Sequence, residues 1–197
     1  MGWPLERLIQ HFPLGEGTAP SSRRRWAVAG LTAFLFAVLA LEIGMQPQLV
    51  PALLLTALVI PAAAIDLNHR IIPNAINLPG AVAVYATAVI AQPDRWLELL
   101  LGGIGLFLFL GVAWVVHPAG MGMGDVKMGL MIGLALGAYA GVAIFAALMI
   151  AFVPSLVLLF SKGLRARKVT FPFGPFLAAG AMIALLWGEQ LLHWYGL

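Results

Sequence analysis

Two aspartates stand at the ends of otherwise apolar segments: Asp66, in Ala64-Ile65-Asp66-Leu67-Asn68-His69-Arg70-Ile71-Ile72-Pro73-Asn74, and Asp125, in Gly122-Met123-Gly124-Asp125-Val126-Lys127. A carboxylate at or inside a bilayer is costly, so a chain that keeps two near one membrane face has a use for them. Two carboxylates a few ångströms apart do not readily ionise together; one holds a proton while the other takes a proton from an attacking water. The protonated member polarises the scissile carbonyl and then protonates the leaving amine. This is aspartic-protease chemistry, and residue types alone leave open which aspartate starts in which role. The plainer reading is structural, since a carboxylate opening a helix, as Asp125 does, favours the positive end of the helix dipole.

The elements that must position this pair are apolar helices. The 197 residues are 62% hydrophobic and 10% charged, with mean hydropathy +0.99, against roughly 25% charged residues in soluble domains. The sequence therefore predicts an all-α polytopic membrane bundle of six to seven helices. Its organisation reads as a cytosolic N-terminal extension over 1–25 followed by one transmembrane domain over 26–197. The extension holds the triplet Arg23-Arg24-Arg25 and a short amphipathic stretch over 3–12. The apolar run over 26–45 is long enough to span, which disfavours a cleaved signal peptide. Further spans read as 49–65, 76–91, 96–116, 126–137, 139–160 and 176–192. The last split, at Gly137-Ala138-Tyr139-Ala140-Gly141, is placed there because a fused helix of about 35 residues, about 50 Å, overshoots a core of about 30 Å.

Seven spans with the arginine triplet inside put Arg7, Arg23, Arg24, Arg25, Arg70, Lys127, Lys162, Arg165, Arg167 and Lys168 on or near the cytosolic face, and only Arg95 outside. That asymmetry satisfies the positive-inside rule, and it accounts for the net charge of +3 without nucleic acid as a partner. This topology follows from the apolar runs and basic residues alone, and it brings both aspartates to the cytosolic face.

Around each carboxylate the small residues are informative. Gly129, Gly133 and Gly137 follow Asp125 at four-residue spacing and leave a bare helix face on which a neighbouring backbone can close, as a two-carboxylate site requires. Gly120, Gly122 and Gly124 leave the preceding loop free to take positive φ and to lie against an extended peptide. Pro73 and Asn74 fix a turn and start the third helix. Lys127 reads as a snorkelling lysine or a contact to substrate or the aspartates, Arg70 as a topology charge, and Asn68, Asn74 and Asn77 as loop and cap residues.

At these residues the chain resembles the bacterial type IV prepilin peptidases, membrane aspartyl proteases of the Gly-x-Gly-Asp class. Three segments carry the resemblance in order: Asp66 with Ile72-Pro73-Asn74, then Gly122 to Lys127, then Pro172-Phe173-Gly174-Pro175-Phe176-Leu177-Ala178 before the last helix. Together they cover roughly residues 60 to 180. The resemblance implies that Asp66 and Asp125 are the catalytic pair, with Gly122, Gly124, Lys127, Pro73, Asn74, Pro172, Gly174 and Pro175 shaping the site or binding substrate. It implies prepilin or pseudopilin substrates, cleaved after a short basic leader at the cytosolic face of the inner membrane, and contact with pilus or secretion assembly machinery.

The longer members of that family carry paired Cys-x-x-Cys motifs in an N-terminal cytosolic insertion tied to methylation of the new N-terminus. This sequence holds no cysteine, so a peptidase-only form is expected. No cofactor or metal is expected either, since the four histidines show no ligand spacing and the glycine run lacks the Gly-Lys-Ser/Thr ending of a phosphate loop. The likeness to presenilin-type proteases is shallow: Ile65, not Tyr, precedes Asp66, and the only Pro-Ala-Leu lies upstream of both aspartates. The alternative from another class is a small proton-coupled transporter or channel with the aspartates as a relay, which requires carboxylates near the bilayer midplane and often internal repeats.

Overall fold

The computed structural model describes residues 22–116, 118, 121–162 and 172–194. Seven α-helices follow one another among them: α1 Ser22–Ile43, α2 Leu49–His69, α3 Asn74–Ala91, α4 Trp96–Val116, α5 Met123–Leu136, α6 Ala140–Lys162 and α7 Gly174–Trp194. Short 3-10 turns at Pro93–Arg95 and Gly137–Tyr139 link α3 to α4 and α5 to α6. Among the described residues six stretches are long and apolar enough to cross a bilayer, the fifth of them Met123–Val157, which takes in α5 and most of α6.

The expected break inside that stretch is present. Gly137 has φ 60° and ψ −124°, a conformation that only glycine adopts without strain. An added Cβ at Gly129 would meet Leu110, and one at Gly133 would meet Gly102 and Gly103. One at Gly137 would meet Glu98, so α5 runs antiparallel to α4. Gly180 of α7 packs on Ala143 and Ala147, and Gly188 on Tyr139, so α6 runs antiparallel to α7. The chain therefore reverses at Gly137, and α5 and α6 form a hairpin. At 14 residues, α5 is about 21 Å long at about 1.5 Å per residue, shorter than a hydrocarbon core of about 30 Å.

The turn of this hairpin is tied down at the bundle end away from the aspartates. Arg95 donates to Glu98 through Nε at 2.9 Å and Nη2 at 2.6 Å, and to Gln92 Oε1 through Nη1 at 2.6 Å. Glu98 Oε1 in turn accepts the Ala138 N–H at 3.1 Å, and the Arg95 guanidinium lies 5.4 Å from the Tyr139 ring centroid. The α3–α4 turn and the α5–α6 turn are thus joined by one cation.

The core gathers Leu55, Val59, Val126, Met131, Ile132 and Leu177 from α2, α5 and α7. Helix α2 lies centrally, touching α1, α3, α5 and α7, whereas α1 is largely exposed outside Leu39. Helix α1 begins at Ser22, so its first turn takes in the arginine triplet. An arginine-rich turn continues a helix readily, since Arg is a good helix former. The 3–12 stretch, Arg7, Gly120 and the basic residues Arg165, Arg167 and Lys168 lie outside the described residues.

Candidate active site

Asp66 sits one turn from the end of α2 and is 4% exposed. The Arg70 N–H donates to the Asp66 carbonyl at 2.8 Å, and Arg70 closes the helix in the left-handed conformation, φ 53° and ψ 34°. No other non-glycine among the described residues has positive φ. The chain then extends through Ile72 to Pro73, whose φ of −64° and ψ of 133° place it just ahead of α3. Its carbonyl accepts the N–H groups of Ile76 at 3.0 Å and Asn77 at 3.2 Å. Pro73 starts the third helix, as expected.

The carboxylate of Asp66 reaches across to α7. Its Oδ2 accepts the Gly174 N–H at 3.0 Å, the first amide of that helix, where unpaired N–H groups and the helix dipole favour an anion. Thr56 Oγ1 lies 3.6 Å from Met182 Sδ further along, so α2 and α7 run antiparallel. The segment from Pro172 to Pro175 now has a physical account. Phe173 is buried, and its carbonyl accepts from Phe176 at 3.0 Å and Leu177 at 3.1 Å. Pro175 falls in the first turn, where a missing N–H is no loss. Gly174 is required because an added Cβ would lie 2.9 Å from Asp66 Oδ2, 3.1 Å from its Cβ and 3.2 Å from its Cγ. Both prolines are half-buried beside this contact.

That contact makes Gly174→Ala informative. The methyl group pushes the carboxylate off its amide, and for the reacting group expected at Asp66 a misplacement of about 1 Å can cost on the order of 100-fold. We expect kcat to fall about 10- to 100-fold with folded protein still recovered; steady-state kinetics at unchanged kcat would show that the carboxylate position does not matter.

Asp125 is the third residue of α5 and is 5% exposed. Its Oδ2 accepts the Gly122 N–H at 3.1 Å, and its own N–H donates to the Gly122 carbonyl at 3.1 Å. Gly122 has no side chain to return the favour, so this is half of a capping box. The capping reading of Asp125 therefore holds for one oxygen. Its Oδ1 is buried with no hydrogen-bond partner, and a cap does not need it.

Helices α2 and α5 touch, and Gly124, the residue before Asp125, packs on Ile72 in the segment that leaves the Asp66 end of α2. Both carboxylates thus belong to one end of the bundle, each held through one oxygen by a backbone amide at a helix start. Among the described residues no three His, Cys, Asp or Glu side chains gather into a metal site.

The structure corrects two readings of the neighbouring residues, the loop glycines and Asn77. Gly122 has φ −79°, Gly124 lies inside α5, and the positive-φ glycines among the described residues are Gly44 and Gly137. Gly124 is needed for space instead, since a Cβ there would come within 3.0 Å of Ile72 Cβ and 3.3 Å of the Ile72 backbone. The close backbone approach expected at the stripe Gly129/Gly133/Gly137 is present, and the neighbour it admits is α4. Asn77 is neither loop nor cap: it is fully buried in α3, and its Nδ2 donates to the Gly124 carbonyl at 3.0 Å. An amide inside an otherwise apolar span was its only signal in the sequence. Lys127 Nζ donates to Asn74 Oδ1 at 2.8 Å on the exposed rim, joining α5 to the first residue of α3.

Residues 52–160 match the type IV leader peptidase family. The chain is 33% identical over 167 residues to a prepilin leader peptidase/N-methyltransferase of Bacillus subtilis, covering 84% of this chain and 66% of that protein. It is 30% identical over 207 residues to a protein of the same name from Pseudomonas aeruginosa, covering 98% and 70%. A third, from Myxococcus xanthus, is 36% identical over 147 residues, covering 71% and 44%. The chain spans about two thirds of the length of the curated relatives it matches. No solved structure matches it. With Asp66 and the whole of α5 inside the matched region, the chain belongs to the type IV leader peptidase family.

Proposed function

We propose that this chain is a membrane aspartic endopeptidase that removes the short basic leader from type IV prepilins or pseudopilins, with Asp66 and Asp125 as its catalytic pair. The observation that supports the reading is the burial of two carboxylates at one end of the bundle on helices that touch, one of them with an oxygen free of any partner. Family membership and the relatives' printed names supply the substrate class.

The chemistry follows from the anchoring. Each aspartate keeps one oxygen on a helix-start amide, which holds its plane and leaves the second oxygen for work. The two share one proton. The ionised member takes a proton from water as that water attacks the scissile carbonyl, while the protonated one donates to the carbonyl oxygen. Collapse of the tetrahedral intermediate passes a proton to the leaving amine. The peptide C–N bond breaks, water supplies the acid and amine termini, and the shared proton is restored.

Orientation follows from charge. Arg70 and Lys127 lie at the aspartate end and Arg95 at the other, which under the positive-inside rule makes the aspartate end cytosolic in the bacterial inner membrane. The extension before α1 is then cytosolic, and the remainder is one membrane-embedded domain working beside the pilus or secretion assembly machinery. Carboxylates at the ends of their helices, not at mid-bilayer, speak against the proton-relay alternative. The test is cleavage, in detergent, of a synthetic peptide holding a basic leader and the apolar segment after it, followed by mass spectrometry; an intact peptide after long incubation would defeat the reading.

A further inference from the structure

We propose that Asn77 is a positioning residue for the Asp125 carboxylate, an inference that rests on the peptidase reading above. Asn77 is fully buried in α3, one turn after the helix starts. Its Nδ2 donates at 3.0 Å to the carbonyl of Gly124, the residue immediately before Asp125. That carbonyl lies within α5, where a ladder N–H takes one lone pair and leaves the second for a side chain. The contact is thus not needed to complete the helix. It sets the height and rotation of the first turn of α5 against α3, while the Ile72 backbone walls the same turn at Gly124.

The other end of the amide is the second observation. Asn77 Oδ1 is buried with no hydrogen-bond partner, as is Asp125 Oδ1. A buried acceptor left unpaired is destabilising, and an apolar side chain in its place removes that penalty. A leucine gives up one bond to a carbonyl that keeps its ladder N–H, a net loss of about 1 kcal/mol or less. The amide serves the placement of Asp125, whose unanchored oxygen must come within hydrogen-bond reach of the attacking water.

Asn77→Leu separates placement from stability. In the full chain, with a synthetic prepilin as substrate, kcat referred to folded enzyme should fall about 10- to 100-fold. KM should stay within about 2-fold, and Tm should be unchanged or higher. Asn77→Ala also lacks the donor and should show the same kcat loss, which keeps the test open where leucine is not accommodated; its Tm is read separately. Wild-type kcat in both variants, a rise in KM alone, or an activity loss that tracks the folded fraction would overturn the proposal. A wild-type enzyme that leaves the peptide intact would instead defeat the peptidase reading itself.

Discussion

Asp66→Asn and Asp125→Asn should each lower prepilin cleavage by about 1,000-fold or more while the protein folds as before. The size follows from the role proposed for each carboxylate. A positioned general acid or base contributes typically 100- to 10,000-fold, and members of one catalytic unit fail together, so the double variant should be little worse than either single one. The fold is spared because asparagine keeps a side-chain oxygen where the anchoring is done. At position 66 it can still accept the Gly174 N–H, and at position 125 the Gly122 N–H. The amide cannot take a proton from water, and no rotation restores that. Circular dichroism and Tm should therefore match the wild type while mass spectrometry finds only uncleaved peptide. More than a tenth of wild-type turnover in either variant would remove that residue from the catalytic pair.

How much of this arrangement the sequence makes legible depends on whether a feature is local. The seven helices and the break near Gly137 follow from length and hydropathy, because a bilayer sets how far an apolar helix runs. The two aspartates stand out because carboxylates are rare in such segments. What the glycine stripe packs against is not local: the spacing of Gly129, Gly133 and Gly137 announces a close neighbour, but only the hairpin geometry shows that it is α4. Gly174 looks like a chain breaker among prolines until the fold puts a carboxylate from residue 66 on its amide, 108 positions away. Asn77 fails for the same reason. One helix-compatible asparagine resembles a cap, and its partner, 47 residues on, is known only once α3 lies beside α5.

Gly133→Leu should cost the enzyme its fold more than its chemistry. A Cβ at this position would overlap the Gly102 carbonyl oxygen, with the Gly102 carbonyl carbon and Gly103 Cα each at 2.7 Å. These are backbone atoms of α4, which cannot swing aside as a side chain can. At Gly129, by contrast, the nearest atoms are the flexible ends of Leu110 and Leu106. Overpacking an interior usually costs about 1–3 kcal/mol, more when backbone must move, and the whole fold is stable by only about 5–15 kcal/mol. At about 2–4 °C per kcal/mol for a chain of this size, Tm in detergent should drop by about 10 °C, or folded protein should not be recovered. Parting α4 from α5 also shifts α5 on α3, so any surviving enzyme should be slow. The control is Gly105→Leu, also on α4, where an added Cβ meets nothing within 4 Å; it should fold and cleave as the wild type does. Equal Tm for Gly133→Leu and Gly105→Leu would mean that the glycine face is not where α4 and α5 close, and the antiparallel pairing that carries Asp125 to the aspartate end would lose its support.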